Sequence, residues 1–122
     1  MPIVKVEFVG DGAQPKEPGL ASALAEATAP VFGTAPERTW VRLNYIEPGH
    51  YAEGGGGPLP GVLPVFVTVL LAELPSKDRR RTLAVELSGA IAELTGRPAE
   101  NVHIIFEPAA TGRVVFGGKL VE

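Results

Sequence analysis

The chain has no cysteine. That single absence removes disulfides, thiolate nucleophiles and cysteine-ligated metals together. Its two histidines, His50 and His103, lie far apart in sequence, so a metal site has little to build on. No basic cluster occurs beyond Lys77–Arg81, and the net charge is −3; both argue against a nucleic-acid surface. Long apolar runs are also lacking. Residues 54–74 read as apolar, but Gly54–Gly57 and Pro58, Pro60 and Pro64 break them up, leaving Val65–Ala72. A spanning helix needs about 20 residues, so no membrane span is expected. No basic stretch followed by an apolar core opens the chain, so no signal peptide is expected, and a cytoplasmic location follows by default.

What remains is ordinary for a soluble globular protein: 45% apolar and 20% charged residues in a chain of 122. That length predicts a single domain spanning residues 1–122. Pro2–Val9 reads as a strand rich in β-branched residues, ended by Gly10-Asp11-Gly12, with a turn over Gln14–Gly19. Leu20, Leu24, Ala27 and Val31 form a helical stripe, with Pro18 suited to its first turn. Pro30 should kink or end that helix, and Gly33 should close it. Thr39–Ile46 predicts a second strand around Trp40, which should serve the core or a subunit interface. Residues 49–61 read as a Gly-rich loop.

The pattern then returns. Pro64–Leu71 is an apolar strand. Ser76 is placed as a helix N-cap with Asp78 in the first turn, and Leu83, Leu87, Ala90, Ile91 and Leu94 form the stripe. Gly96 stops the helix, Pro98 follows, and Asn101–Phe106 is the fourth strand, with a short tail closed by Gly117-Gly118. Pro2 to Pro64 is an offset of 62, Leu20 to Leu83 of 63, and Val41 to Val102 of 61. An internal repeat of residues 2–61 and 62–122 follows, and with it an α+β fold. Two tandem βαβ units should build a four-stranded sheet with both helices on one face. The strands Val65–Leu71 and Val102–Phe106 read as apolar on both faces, which predicts an oligomer covering the bare face.

Pro2 is the residue with unusual chemistry. Met1 precedes a small residue, so aminopeptidase removal of Met1 is expected. Pro2 would then carry a free secondary amine. A free α-amino group titrates at about 7.7–8.0, and burial lowers that value toward general-base duty. The plainer reading is that Pro2 only starts a strand, where its missing N–H does no harm.

The segment Thr82-Leu83 through Glu93, followed by Val102-His103-Ile104-Ile105, looks like the helix and second strand of oxalocrotonate tautomerase. The first half adds Met-Pro-Ile, Val41-Arg42-Leu43, Glu47, Gly49-His50-Tyr51 and Gly54-Gly55. In this order, over nearly the full length, these segments resemble the fused, double-length members of the tautomerase superfamily. That group includes macrophage migration inhibitory factor. The resemblance implies a homotrimer with an N-terminal proline in a pocket between subunits, and no cofactor or metal. It implies a cofactor-independent keto–enol isomerase acting on a small carboxylate or carbonyl substrate. Pro2 matches the catalytic proline, and Arg42 the arginine that grips a substrate carboxylate. Tyr51 stands where the family has an aromatic residue walling the pocket, and His103 takes Arg42's place in the second half. Pro64 matches the start of the second repeat. Many members also carry an arginine just ahead of a helix. Here neither Gly12-Ala13-Gln14 nor Glu73-Leu74-Pro75-Ser76 offers one. Arg79-Arg80-Arg81 are expected to face solvent, and Arg113 is placed as the substitute in space.

Each of these residues has a structural reading beside the functional one. Arg42 suits an exposed cross-strand partner as well as a bidentate carboxylate clamp, which a lysine cannot copy. His50 suits a loop, and His103 a packed strand. Proline-dependent decarboxylation or hydration of a 3-oxo acid, with Pro2 as an acid, is the second enzymatic reading. A non-catalytic trimer that binds a ligand or partner is the third.

Overall fold

The computed structural model describes residues 2–10, 19–58 and 61–122. The expected turn over residues 14–18, with Pro18, lies outside the described residues. Strand β1 (Ile3–Val9) is followed by helix α1 (Leu20–Phe32) and strand β2 (Trp40–Ile46). Strand β3 (Val65–Leu70), helix α2 (Lys77–Thr95) and strand β4 (Val102–Phe106) repeat that order. A short hairpin of β5 (Val115–Phe116) and β6 (Lys119–Leu120) ends the chain. The four long strands form one mixed sheet in the order β2-β1-β3-β4. The β1–β2 and β3–β4 pairs are parallel, and the two units meet antiparallel through β1 and β3.

Both helices cover one face of the sheet and pack against each other. Val4, Val6 and Phe8 of β1 and Val65, Val67 and Val69 of β3 point into this layer, every second residue, as the strand period requires. Leu24 of α1 and Leu83, Leu87 and Ile91 of α2 meet them. Each such side chain contributes roughly 1.5–3 kcal/mol by leaving water. In α1 the buried set is Leu20, Leu24, Thr28 and Ala29 rather than the predicted Ala27 and Val31, which are half-buried. Thr28 follows Leu24 by four residues and so lies on the same face. Its hydroxyl is accepted there because it donates to the Leu24 carbonyl at 2.8 Å. Leu94 of the predicted α2 stripe is instead exposed.

The helix ends follow local chemistry. Ser76 caps α2, its Oγ accepting from the Arg79 N–H at 3.2 Å. Gly96 closes α2 and Gly33 closes α1, both left-handed, where glycine carries no Cβ penalty. Pro30 does not end α1; it lies inside the last turn, and the helix runs to Phe32. Beyond α2, Arg97 Nη1 donates to the carbonyls of Val9 (2.7 Å) and Leu63 (3.0 Å). Its guanidinium lies 5.2 Å from the centroid of the Phe8 ring. One cation thus fastens the end of β1 to the approach to β3.

The second face of the sheet carries no helix. Its cross-strand rows read Trp40–Ile3–Leu70, then Arg42–Lys5–Thr68–Ile105, then Asn44–Glu7–Phe66–His103. The expectation that this face is apolar throughout β3 and β4 needs correction. Thr68 and His103 interrupt it on those strands, and Lys5, Glu7 and Arg42 make the β1–β2 side charged. Ile105 nevertheless stands 57% exposed there. Trp40 is also exposed rather than core, with its ring edge-on to Phe116 at 5.8 Å. That contact rests on a feature read from sequence only as a tail. Gly117 and Gly118, both at positive φ, make the two-residue turn of the β5–β6 hairpin.

The two parallel pairs share one register: Val4 pairs with Val41 and Val65 with Val102, each 37 residues on. The core residues alternate as Val4, Val6 and Phe8 in β1 and Val65, Val67 and Val69 in β3. Pro2 is in step with the first set, whereas Pro64 directly precedes Val65 and is out of step with the second.

Gly10 follows β1, and the Tyr45 ring lies directly over its Cα. An added Cβ would fall inside that ring. Gly10→Ala is expected to lower unfolding free energy by about 1–3 kcal/mol, the usual cost of overpacking. Urea denaturation checks this, and an unchanged midpoint would show that the ring has room to move.

Candidate active site

Two cavities flank the start of β1, one on each side of the sheet. The first, of about 170 Å³, is walled by Pro2. The Pro2 carbonyl accepts from the Trp40 N–H at 3.0 Å, which sets the β1–β2 register. The pyrrolidine ring is fully buried. Phe32 and Thr34 line the cavity from the end of α1, and Leu71 and Pro75 from the β3–α2 connection. Leu83 and Arg79 line it from α2.

Arg79 has a second contact that the sequence reading did not include. It is exposed, as expected, but it also lines the Pro2 cavity, and its Nη2 donates to the Val31 carbonyl at 3.1 Å. A signal for this existed. Arg79 stands in the first turn of α2, and helical side chains lean back toward the N-terminus of their helix. The β3–α2 connection beside Pro2 lies in that direction.

The second cavity, of about 260 Å³, opens on the helix-free face. It gathers Lys5, Arg42 and Arg113 with Thr68, Glu107 and a floor that includes Ile3. Three cations line it with one carboxylate, and although Lys5 Nζ is also 3.9 Å from Glu7 Oε2, the positive charge in excess suits an anion. Arg113 is steadied by the carbonyls of Ala109 (3.0 Å, from Nε) and Pro108 (2.7 Å, from Nη2). Arg113 therefore shares a cavity with Arg42. Within one chain it does not line the Pro2 cavity, where the cation is Arg79. Nor does one chain bring Pro2 and Arg42 together. Their cavities lie on opposite faces, because Pro2 is in step with Val4 and Arg42 is paired with Lys5.

Tyr51 and His103 occupy a third position. Each ring is tilted against Phe66, with centroids at 5.7 Å and 5.5 Å respectively. His103 is exposed on β4, and His50 is exposed in the loop after β2. The Tyr51 hydroxyl donates to Glu53 Oε2 at 2.8 Å. That hydrogen bond, then desolvation, then the Glu53 charge, raise the phenol above its ordinary 10.0. Tyr51 thus keeps its proton at neutral pH, as a wall or a donor rather than a base. Among the described residues no group of three or more His, Asp or Glu side chains could hold a metal ion, and no helix is long and apolar enough to cross a membrane.

The Tyr51–Glu53 bond makes a prediction about pH. The folded chain holds the phenolic proton more tightly than the unfolded chain. Its contribution to stability is therefore complete below about 10 and is lost as pH rises through the raised folded value. NMR titration of ring-labelled tyrosine should show Tyr51 ionising above 10, and Glu53→Gln should move it downward. An unmoved titration in Glu53→Gln would remove Glu53 as the cause.

Comparison with known proteins agrees with this geometry. Residues 66–122 match the family model described as "Tautomerase enzyme". A probable tautomerase of Bacillus cereus is 32% identical over 54 residues, which cover 44% of this chain and 88% of that protein. A probable tautomerase of Bacillus anthracis matches to the same extent. Among solved structures, native fused 4-OT superposes with a TM-score of 0.73 at 20% identity, over 97% of this chain and 94% of that one. Pt0534 inactivated by 2-oxo-3-pentynoate gives 0.76 at 19% identity, over 98% and 94%. The macrophage migration inhibitory factor of Oncomelania hupensis gives 0.72 at 20% identity, over 100% and 83%. These structures share the fold of two βαβ units on one sheet. Taken with the match that spans most of each Bacillus protein, they establish that the chain belongs to the tautomerase family.

Proposed function

We propose that the protein is a tautomerase that uses the amine of Pro2, freed by removal of Met1, as the general base on a small enol or 2-oxo acid. The observation that carries this reading is the burial of Pro2 in the wall of a cavity that it shares with Phe32, Leu71, Leu83 and one guanidinium. An amine at that place is shielded from bulk water, which favours its neutral, proton-accepting form. It takes a proton from a carbon next to the carbonyl and returns one elsewhere on the same substrate. The proton only moves within one molecule, so the reaction needs no redox partner.

In this reading Arg42 reaches the Pro2 pocket from a neighbouring subunit of a homotrimer. Support comes from its place on the helix-free face, which a neighbour would cover. The relatives add support: fused 4-OT forms symmetric and asymmetric trimers. Arg42 would hold the substrate carboxylate through two parallel hydrogen bonds and draw charge toward it as the dienolate forms. Tyr51 would wall the pocket, and Arg113 and His103 would assist binding from the same face.

The amine is testable directly. Processed protein should ketonise phenylenolpyruvate, and Met1-bearing protein should be slower by about 10²–10⁴-fold, the usual value of general-base help. The reason is that an acylated proline nitrogen is a planar amide with no available lone pair. 2-Oxo-3-pentynoate offers a second readout, since a neutral secondary amine adds across its conjugated alkyne. Intact mass should show one adduct on the processed form and none on the Met1-bearing form. Equal rates for the two forms would remove Pro2 from the mechanism.

For Arg42, light scattering should give a trimer. Arg42→Ala should keep the fold, because the residue is exposed, and weaken carboxylate binding by about 1.5–3 kcal/mol. A stable monomer with unchanged kinetics would contradict both the assembly and the role.

A further inference from the structure

We infer that Arg79 is a substrate-binding residue, the cation by which the chain that supplies Pro2 also holds the carboxylate of an enol or 2-oxo acid. The inference deepens the proposed function and rests on Pro2 marking the reacting end of the pocket.

Three observations carry it. First, Arg79 contributes the cationic group of a cavity whose other walls include Pro2, Phe32, Leu71 and Leu83. A small acid entering that cavity would meet one full positive charge there. Second, the guanidinium is held in place without being consumed. Nη2 donates to the Val31 carbonyl at 3.1 Å, and among the described residues Arg79 has no carboxylate partner within 4.0 Å. A guanidinium has five N–H donors in a rigid fork, so this one bond fixes its position and leaves donors for a bidentate anion. The neighbouring arginine differs: Arg81 Nη1 is paired with Asp78 at 2.8 Å. Third, the anchor is a helix end. Val31 lies in the last turn of α1, where carbonyls lack helical partners and the helix dipole is negative. The Gly33 and Thr34 N–H groups take the Pro30 and Ala29 carbonyls, and Arg79 takes that of Val31. The residue therefore bridges the end of one helix and the start of the other at the mouth of the cavity. Thr34, whose hydroxyl lies 2.7 Å from that of Thr39, adds a polar group to the same wall.

A purely structural role for Arg79, capping α1, makes different predictions, and Arg79→Gln separates the two. The glutamine amide keeps an N–H donor for the Val31 carbonyl but removes the charge and the fork. Arg79→Lys keeps the charge and loses the fork. Two substrates are compared, phenylenolpyruvate and its methyl ester, together with calorimetric binding of 3-phenylpropanoate, an acid that cannot tautomerise. Arg79→Gln should leave Tm close to that of the parent chain. It should raise KM for the acid by about 10- to 100-fold, in keeping with loss of charged hydrogen bonds. The ester should be turned over as before, 3-phenylpropanoate binding should weaken by a similar factor, and Arg79→Lys should recover part of the loss. Unchanged 3-phenylpropanoate binding in Arg79→Gln would overturn the inference and leave Arg79 as a helix cap. So would equal losses for acid and ester. Failure of the Pro2 reading looks different. There, Met1-bearing and processed forms would react equally while Arg79→Gln still lost the acid, so the anion site would stand and the base would fall.

Discussion

The structure depends on the two-residue period of β1. This strand is paired on both sides, with β2 parallel and β3 antiparallel, so its alternation dictates what every other strand presents to each face. Val4, Val6 and Phe8 go to the helices, and Ile3, Lys5 and Glu7 go to the open face. A slip by one residue would bury Lys5 and Glu7 and expose the core. The register is thus fixed by a desolvation cost far larger than any single contact. The same alternation divides the chemistry. Pro2 is in step with the core residues and Ile3 is not, so adjacent residues wall different cavities.

That division explains the electrostatic plan. On the helix side, one cavity holds the buried Pro2 and one anchored arginine. On the open side, Lys5, Arg42 and Arg113 line a second cavity together with Glu107. The buried proline and the larger group of cations are therefore on different faces of the sheet.

Much of this was legible in the sequence, for physical reasons. The strand–helix–strand order is written in apolar periodicity, and Gly33, Ser76 and Gly96 mark helix ends by their own backbone and side-chain chemistry. Two kinds of information were not legible. One was parity: Pro64 invites alignment with Pro2 because both are prolines, yet Pro2 is in step with the core residues of β1 and Pro64 is out of step with those of β3. Composition carries no parity. The other was side-chain direction. Arg79, Arg80 and Arg81 look alike as a run of charge, and only helix phase and the lean of the first turn separate the arginine that lines a cavity from one that pairs with Asp78. Arg42 and Arg113 were read as relevant, and the fold does unite them. It unites them on the face opposite Pro2, which no single-chain pattern encodes.

Trp40 has a consequence of its own. It is the sole tryptophan of the chain, nearly half exposed, with its indole edge against Phe116 and its backbone N–H on the Pro2 carbonyl. Its emission is therefore a local optical probe, sensitive to the polarity around one corner of the sheet. Anything that shifts the amino-terminal residue, undocks the carboxy-terminal hairpin or brings a neighbour over that corner changes the solvent seen by one chromophore. The protein can thus be followed in real time without a label, through a side chain that belongs to neither cavity.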